Sequence, residues 1–494
     1  MTHPHASASL GTLPRHIHLL GVGGAGVSGA ARVLSAAGHV LSGHDRAPAG
    51  SFAALEELGV ALALGESRRE GLPASAELVV RSAAVPETDP QVVAARERGV
   101  EVWKYADLLG RLTADRVSLA VAGTHGKTTT SWMLWHALEG IGAYLRTPVP
   151  GALIGGVDRR LSTNALAGSP DGWFAVEACE YDRTFLKVRA SGAAITNVEG
   201  DHLDYYGTVE AVEEAFARFA DQVHGEGLIV LGRDVPESVE GAAHAHVWRL
   251  GREVQVDLIS ERAGLFRLRL RGPGWATPEL GLQVPGAFQV DNAALALALA
   301  VGSAQRSPAG RDADPSGIAA AAAEGLERFL GVGRRFEPWA NLPGIDVIHD
   351  YAHHPTEVRV TLEAARRAFP GRALHVLFQP HQHSRTARFL DDFVDSLRAA
   401  DHVVVADVYG ARAHVDGDRF AGAPELVDGL RSIHVDAASG GPLGSALARA
   451  AEALPQDGSG PSVLMVLGAG DIEHVREELL QRIEFRLATA PREH

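Results

Sequence analysis

Residues 117–130 read VSLAVAGTHGKTTT. The apolar run Val117–Ala122 is expected to be a buried strand, and a glycine turn leads from it into a helix over about Lys127 to Gly140. A strand, a glycine loop and a helix in that order bring backbone N–H groups and a positive helix end around phosphate oxygens. Lys127 then reaches the outer phosphates of a nucleotide, and Thr128 offers a hydroxyl to Mg2+. The spacing is shorter than the common G-x-x-x-x-G-K-[ST] loop: residue 121 is Val, and Gly123 and Gly126 stand closer together. The candidate ATP-binding residues here are Gly123, Thr124, His125, Gly126, Lys127, Thr128 and Thr129.

The lysine carries extra weight. Lys and Arg together number 46, and the only lysines are Lys104, Lys127 and Lys187. A chain that uses arginine almost everywhere keeps a lysine in this loop because a compact ammonium fits where a planar guanidinium does not.

Outward from the loop, strand and helix alternate along most of the 494 residues. The chain is too long for one core, and three α/β domains in series are expected: a Rossmann-like domain over 15–113, a central ATP-binding domain over 114–330 and a Rossmann-like domain over 331–494, after a disordered tail over 1–14. Residues 302–317 and 456–461, rich in Gly, Pro and Ser, are expected to be exposed loops. The net charge of −15 argues against nucleic acid as a partner, which would select a basic surface. With one cysteine, Cys179, no disulfide forms within the chain, as suits a cytoplasmic protein. No apolar stretch is long enough to span a membrane. A monomer or a homodimer is expected.

The first domain opens with a second glycine loop. Gly21, Gly23 and Gly26 follow a strand, open a helix and precede Asp45 after a further strand. That is the context in which G-x-G-x-x-G binds a diphosphate. NAD and a UDP-sugar offer the same diphosphate, and a tight turn used only for helix–sheet packing would need the same glycines.

Two clusters complete the chemistry. Glu177 closes the strand WFAVE, where a Mg2+ carboxylate is needed, with Glu180 and Asp182 beyond the strand. NVEGDHLD at 197–204 follows another strand and carries Asn197, Glu199, Asp201 and His202. In the third domain Arg335 precedes a strand, and HDYAHHPTE and FQPHQHSRT end two others. Arginines and histidines at adjacent strand ends suit an anionic substrate, while His353, His354, His381 and His383 are also residues from which a metal site is built.

Taken in order, GVGGAGVSG, GTHGKTTT, VEACEYD, TNVEGDHLD, GRRFE, DYAHHPTEV, FQPHQHSRT and LGAGDI resemble the Mur ligase family, most of all the branch that adds L-alanine to UDP-N-acetylmuramate. The resemblance runs from about His16 to about Ile472. It implies that the first domain binds the UDP part of the substrate, through Gly21, Gly23, Gly24, Gly26, Ser28, Asp45 and Ser82, that the second binds ATP, and that the third closes over both. It implies ATP and Mg2+, with Thr128 and Glu177 holding one ion and His202 a second. Asn292 would contact adenine, Arg335 the phosphates and Asp350 the ribose; Tyr351, His353, His354, His381 and Arg385 would line the muramoyl and amino-acid end. Lys127, Glu177, His202, His353 and Arg385 are thus the implied catalytic set. A sister activity, ligation of a ready-made tripeptide to the same UDP-sugar, is the alternative, since that branch tends to carry Tyr at the position of Tyr181. The chain departs from the family pattern at Cys179 and Gln382, where Asp and Arg are usual, and at Phe288 and Gln289, where His and Asn are usual.

Overall fold

The computed structural model describes residues 13–410, 421–455 and 460–489. Most of the expected tail and the core of the expected loop at 456–461 lie outside the described residues. The chain forms two compact units. The first takes in the described residues up to Asp257, with Arg269–Leu280 and Asp291–Phe329; the second takes in Leu258–Leu268, Gly281–Val290 and the described residues from Leu330 on.

The first unit holds two sheets. One is fully parallel, with strands in the order Ala61–Leu64, Val40–Asp45, His16–Leu20, Leu78–Arg81, Glu101–Lys104. The other has seven strands in the order His246–Arg249, Leu228–Leu231, Gly192–Ile195, Val117–Ala122, Trp173–Glu177, Gly151–Asp158, Thr163–Leu166. Only the last pairs antiparallel. Strands such as Leu228–Leu231 are buried on both faces and read as unbroken apolar runs, as parallel strands do. Val117–Ala122 is the central strand, so the C-terminal ends of Trp173–Glu177 and Gly192–Ile195 flank its glycine loop on either side.

Both sheets share one apolar core. The helix Ala25–Ala36, which follows the first glycine loop, packs on the edge of the seven-stranded sheet. A side chain at Gly29 would meet Leu153 2.7 Å from its Cβ, and Asn164 Nδ2 donates to the Ala25 carbonyl at 2.8 Å. The helix Lys127–Leu145 is apolar all round and is buried accordingly. Its Trp132 and Trp135 indoles donate to the Gly156 and Pro150 carbonyls, and its His136 pairs with buried Asp158 at 2.9 Å.

The expected loop over 302–317 is not a loop throughout. The helix Phe288–Arg306 runs on through Gly302, and the next helix, Pro315–Leu326, starts soon after. Gly302 does not break the helix because it is a contact point: a Cβ there would collide with Leu228 and Trp248. Arg306 lies over the Trp248 ring, and Asp314 caps the second helix through the Ser316 and Gly317 amides.

The second unit contains a six-stranded sheet in the order Glu337–Leu342, Ile345–Asp350, Ser462–Leu467, Ala373–Phe378, His402–Ala406, Asp436–Gly441. Its first strand is antiparallel and the rest are parallel. Ser462–Leu467 sits between Ile345–Asp350 and Ala373–Phe378, so the chain order reverses there, the position at which open α/β sheets bind ligands. Among the described residues no helix is long and apolar enough to cross a membrane.

In the first unit, Phe185 anchors the segment that follows Glu177. Its ring lies 5.1 Å from Phe216 and 5.2 Å from Phe219, and all three are buried. Phe216→Ala is expected to cost about 3–5 kcal/mol of the first unit's stability. Denaturant unfolding checks this, and a loss below about 1 kcal/mol would mean that the stack is not an anchor.

Candidate functional site

The central glycine loop is shaped by two left-handed glycines, Gly123 at φ 136° and Gly126 at φ 82°. A Cβ on Gly123 would collide with Thr196, and one on Gly126 would lie 2.7 Å from Asn292 Oδ1. The loop is tied to the next strand end. His125 N donates to Asn197 Oδ1 at 2.9 Å, Thr196 Oγ1 donates to the His125 carbonyl at 2.6 Å, and Glu199 N donates to Thr124 Oγ1 at 2.8 Å. Thr129 is buried in the first turn of the helix, and Asn292 is placed against the loop at Gly126.

Lys127 turns back into this loop. Its Nζ donates to the Gly123 carbonyl at 2.6 Å and the Thr124 carbonyl at 2.9 Å, and it pairs with Glu180 at 2.9 Å. Burial works to lower the ammonium's pKa, but the Glu180 carboxylate, with Glu177 and the other acidic groups around it, outweighs burial, and the net shift is upward. Lys127 is therefore a permanent charge. Thr128 Oγ1 donates to Glu177 Oε1 at 3.1 Å, and Glu177 Oε2 accepts from Gly155 N at 2.8 Å. His202 stands in a left-handed turn with Nε2 at 3.8 Å from carboxylate oxygens of both Glu180 and Asp201.

The sequence placed Glu180 beyond the strand without a role. It is the counter-ion of Lys127, and its backbone carbonyl accepts from the buried Tyr206 hydroxyl at 2.6 Å. The signal was available in the lysine count: a rare buried lysine requires a carboxylate, and this is the one that reaches it. Cys179 next to it stays a neutral thiol, since burial, with the Glu180 carboxylate adding to it, pushes the group up to about 12.

The first glycine loop is held by Asp45, whose oxygens accept from Gly23 N at 2.8 Å and Arg46 N at 2.7 Å. Gly21, in a left-handed conformation, sits against Ser82, and Gly26 faces Tyr105, whose ring would lie 2.8 Å from a Cβ there. A Cβ on Gly24 would meet the Gly21 carbonyl oxygen at 3.4 Å. Ser28 is buried, and its hydroxyl donates to the Ala25 carbonyl at 3.1 Å. A cavity of about 310 Å³ runs from Gly24 and Gly26, past Ser82 and Lys104, to Glu177 and Cys179. It links the first loop to Glu177, whose carboxylate accepts from Thr128 beside the second loop.

The second unit gathers its own cluster. Arg334 and Arg335 lie over the Tyr351 ring at 4.9 and 5.3 Å. Burial acts to lower Arg335, while Glu357, 3.3 Å away, and Asp350 raise it, with a net rise. Asp350 uses both oxygens on backbone amides, those of Phe336 and Ala352, each at 2.8 Å; burial above all moves it up to about 6. His353 bonds the Tyr351 carbonyl at 2.9 Å, with its ring 5.7 Å from His381. His354 caps the helix Pro355–Ala368 and packs on Phe389. Gln382 holds a left-handed turn before the short helix that carries Arg385, which is half-buried. His383 bonds the Ala421 carbonyl at 3.2 Å, and among the described residues the four rings His353, His354, His381 and His383 are not grouped at metal-ligating distances.

Three family models match the chain: the Mur ligase catalytic domain over 16–117, the Mur ligase middle domain over 121–300 and the Mur ligase glutamate ligase domain over 334–470. A UDP-N-acetylmuramate–L-alanine ligase of Kineococcus radiotolerans is 40% identical over 489 residues, covering 95% of this chain and 96% of the relative. One from Salinibacter ruber is 35% identical, covering 96% of each. The crystal structure of UDP-N-acetylmuramate-alanine ligase MurC from Thermotoga maritima superposes with a TM-score of 0.74 at 27% identity, covering 95% of this chain and 99% of that one. A murein peptide ligase from Psychrobacter arcticus shares the fold, with a TM-score of 0.67 at 22% identity.

Lys127→Arg is expected to lower turnover by at least about 100-fold, because the fork cannot occupy the ammonium's place inside the loop, while the chain still folds, with a lower unfolding midpoint because Glu180 loses its partner. Steady-state assay and thermal unfolding measure the two. Near-normal turnover would mean that the loop does not discriminate between the cations.

Proposed function

The chain belongs to the Mur ligase family, and we propose that it joins L-alanine to the lactyl carboxylate of UDP-N-acetylmuramate at the expense of ATP, a step of peptidoglycan precursor synthesis. The observation that carries this is the cavity joining the first glycine loop to Glu177. A UDP-sugar laid with its diphosphate on the first loop would extend its sugar and carboxylate along that cavity toward the phosphate loop. An NAD site would have no use for the second loop.

A carboxylate and an amine do not condense on their own in water, because carboxylate oxygen is a poor leaving group. The carboxylate attacks the γ-phosphorus of ATP, ADP departs, and an acyl phosphate results. The alanine amine adds to the acyl carbon and gives up a proton, and phosphate leaves. Lys127, held charged by Glu180, offsets negative charge on the γ-phosphate as it transfers. Backbone amides of Gly126 to Thr128 and the helix end behind them orient the phosphates. The oxygen donors Thr128 and Glu177, side by side at 3.1 Å, suit a hard cation. They would hold one Mg2+ and His202 a second, and the ions would supply neutralisation of phosphate charge. Arg335, Tyr351, His353 and His381 form a cationic and imidazole-rich cluster suited to carboxylate and phosphate groups, and Arg385, on the helix His383–Arg388, would add a second guanidinium.

Tyr181 lines the cavity and keeps the tripeptide-adding reading in play. Purified protein is expected to release phosphate from ATP only with UDP-N-acetylmuramate and L-alanine both present. Faster turnover with the tripeptide than with L-alanine would favour the sister activity, and release that ignores either substrate would rule out ligation.

A further inference from the structure

The three lysines share one neighbourhood. Lys104 pairs with Asp182 at 3.0 Å, Lys127 with Glu180 at 2.9 Å and Lys187 with Asp107 at 2.9 Å. Every pair therefore involves the segment from Glu180 to Lys187, which the phosphate loop meets through Lys127 and the helix Tyr105–Ala114 meets from the first sheet. The segment touches both places where ligands are proposed to bind. Tyr181 and Asp182 face the cavity, as does Lys104, and Glu180 faces the phosphate loop.

Its backbone is strained where it does so. Asp182 and Arg183 are consecutive left-handed residues, at φ 51° and 54°, and neither is glycine. Such a turn persists only where its surroundings hold it, and it is found at ligand clamps. The restraints are the Lys104–Asp182 pair, the Tyr206 hydroxyl on the Glu180 carbonyl, the Arg183 amide on the same carbonyl at 2.9 Å and the buried Phe185 ring. Of these, only the Lys104–Asp182 pair faces the cavity and has a half-exposed cation, so only it is open to competition by a ligand.

We propose that Lys104 and Asp182 are positioning residues that couple filling of the cavity to the phosphate loop. An anionic ligand in the cavity competes with Asp182 for the Lys104 ammonium. The turn loses that restraint and relaxes, and Glu180, two residues away on the same turn, gives up its hold on Lys127 in favour of the nucleotide phosphates. The coupling is a binding equilibrium, so each ligand tightens the other by the same factor. It rests on the reading of the cavity as the UDP-N-acetylmuramate site.

The test is calorimetric titration of a non-hydrolysable ATP analogue with Mg2+ into the full chain, with and without saturating UDP-N-acetylmuramate. The UDP-sugar is expected to tighten the analogue on the order of 10-fold in the wild type, and less than about twofold in Asp182→Asn and in Lys104→Met. Affinity for the analogue alone should rise in both toward the value that the wild type reaches with the UDP-sugar bound, because the restraint on the turn is already gone. Asparagine adopts the left-handed conformation readily, so Asp182→Asn removes the ion pair without adding backbone strain. Full coupling in both variants, or no coupling in the wild type, would overturn the proposal. Absence of any UDP-sugar binding to the wild type would instead overturn the substrate reading, and the coupling with it.

Discussion

A buried ammonium organises the centre of this protein. Lys127 sits beneath the glycine loop with two loop carbonyls and the Glu180 carboxylate as partners. A charge taken out of water without such partners costs several kcal/mol, so the groups around it are constrained as tightly as the lysine is. The loop must curl to turn Gly123 and Thr124 carbonyls inward, which needs the left-handed glycines. The segment after Glu177 must double back to deliver Glu180, which needs the strained turn at Asp182 and the Phe185 anchor. The Thr124 and His125 amides in turn donate to the Asn197 carbonyl and side chain, which ties the loop to the neighbouring strand end. One pairing thus sets the geometry of the glycine loop from two strand ends.

Sheet order explains why these groups meet. Val117–Ala122 lies between Trp173–Glu177 and Gly192–Ile195, so the residues at the three strand ends become neighbours although they are far apart in the chain. The same rule operates in the second unit, where Ile345–Asp350 and Ala373–Phe378 flank Ser462–Leu467 and their loops carry Tyr351, His353 and His381. Strand ends at a reversal of order are where open α/β sheets bind ligands. The chemistry differs between the units. In the first a cation is enclosed by acceptors; in the second, guanidinium groups lie over an aromatic face with Glu357 and Glu473 as counter-ions.

Much of this was legible in the sequence, and the reason is physical. Strands such as Trp173–Glu177 and Ser462–Leu467 are buried on both faces, so they stand out as apolar runs between turns. The glycine loops stood out because few backbones other than glycine pass through their conformations. The strands Gln255–Arg262 and Leu265–Gly272 were not read, because the first is largely exposed and polar and the second alternates. Gly302 was misread as a loop residue because a sequence does not distinguish a glycine that bends from one that admits a tryptophan. Glu180 was missed for a different reason: its role depends on a left-handed turn at non-glycine residues, which propensity argues against. At Cys179 the family's usual acid is replaced by a neutral thiol, so Lys127 keeps Glu180 as its carboxylate partner with one acidic group fewer nearby.

The central claim is that the phosphate loop activates a carboxylate by phosphorylating it. It is tested most directly by supplying UDP-N-acetylmuramate labelled with 18O in the lactyl carboxylate, together with ATP and L-alanine, and analysing the released phosphate by mass spectrometry. Transfer of one labelled oxygen into each phosphate is the result expected if the acyl phosphate forms, because the C–O bond that breaks leaves its oxygen on phosphorus. Phosphate released without label would mean that water, not the carboxylate, attacks the γ-phosphorus, and would contradict the account.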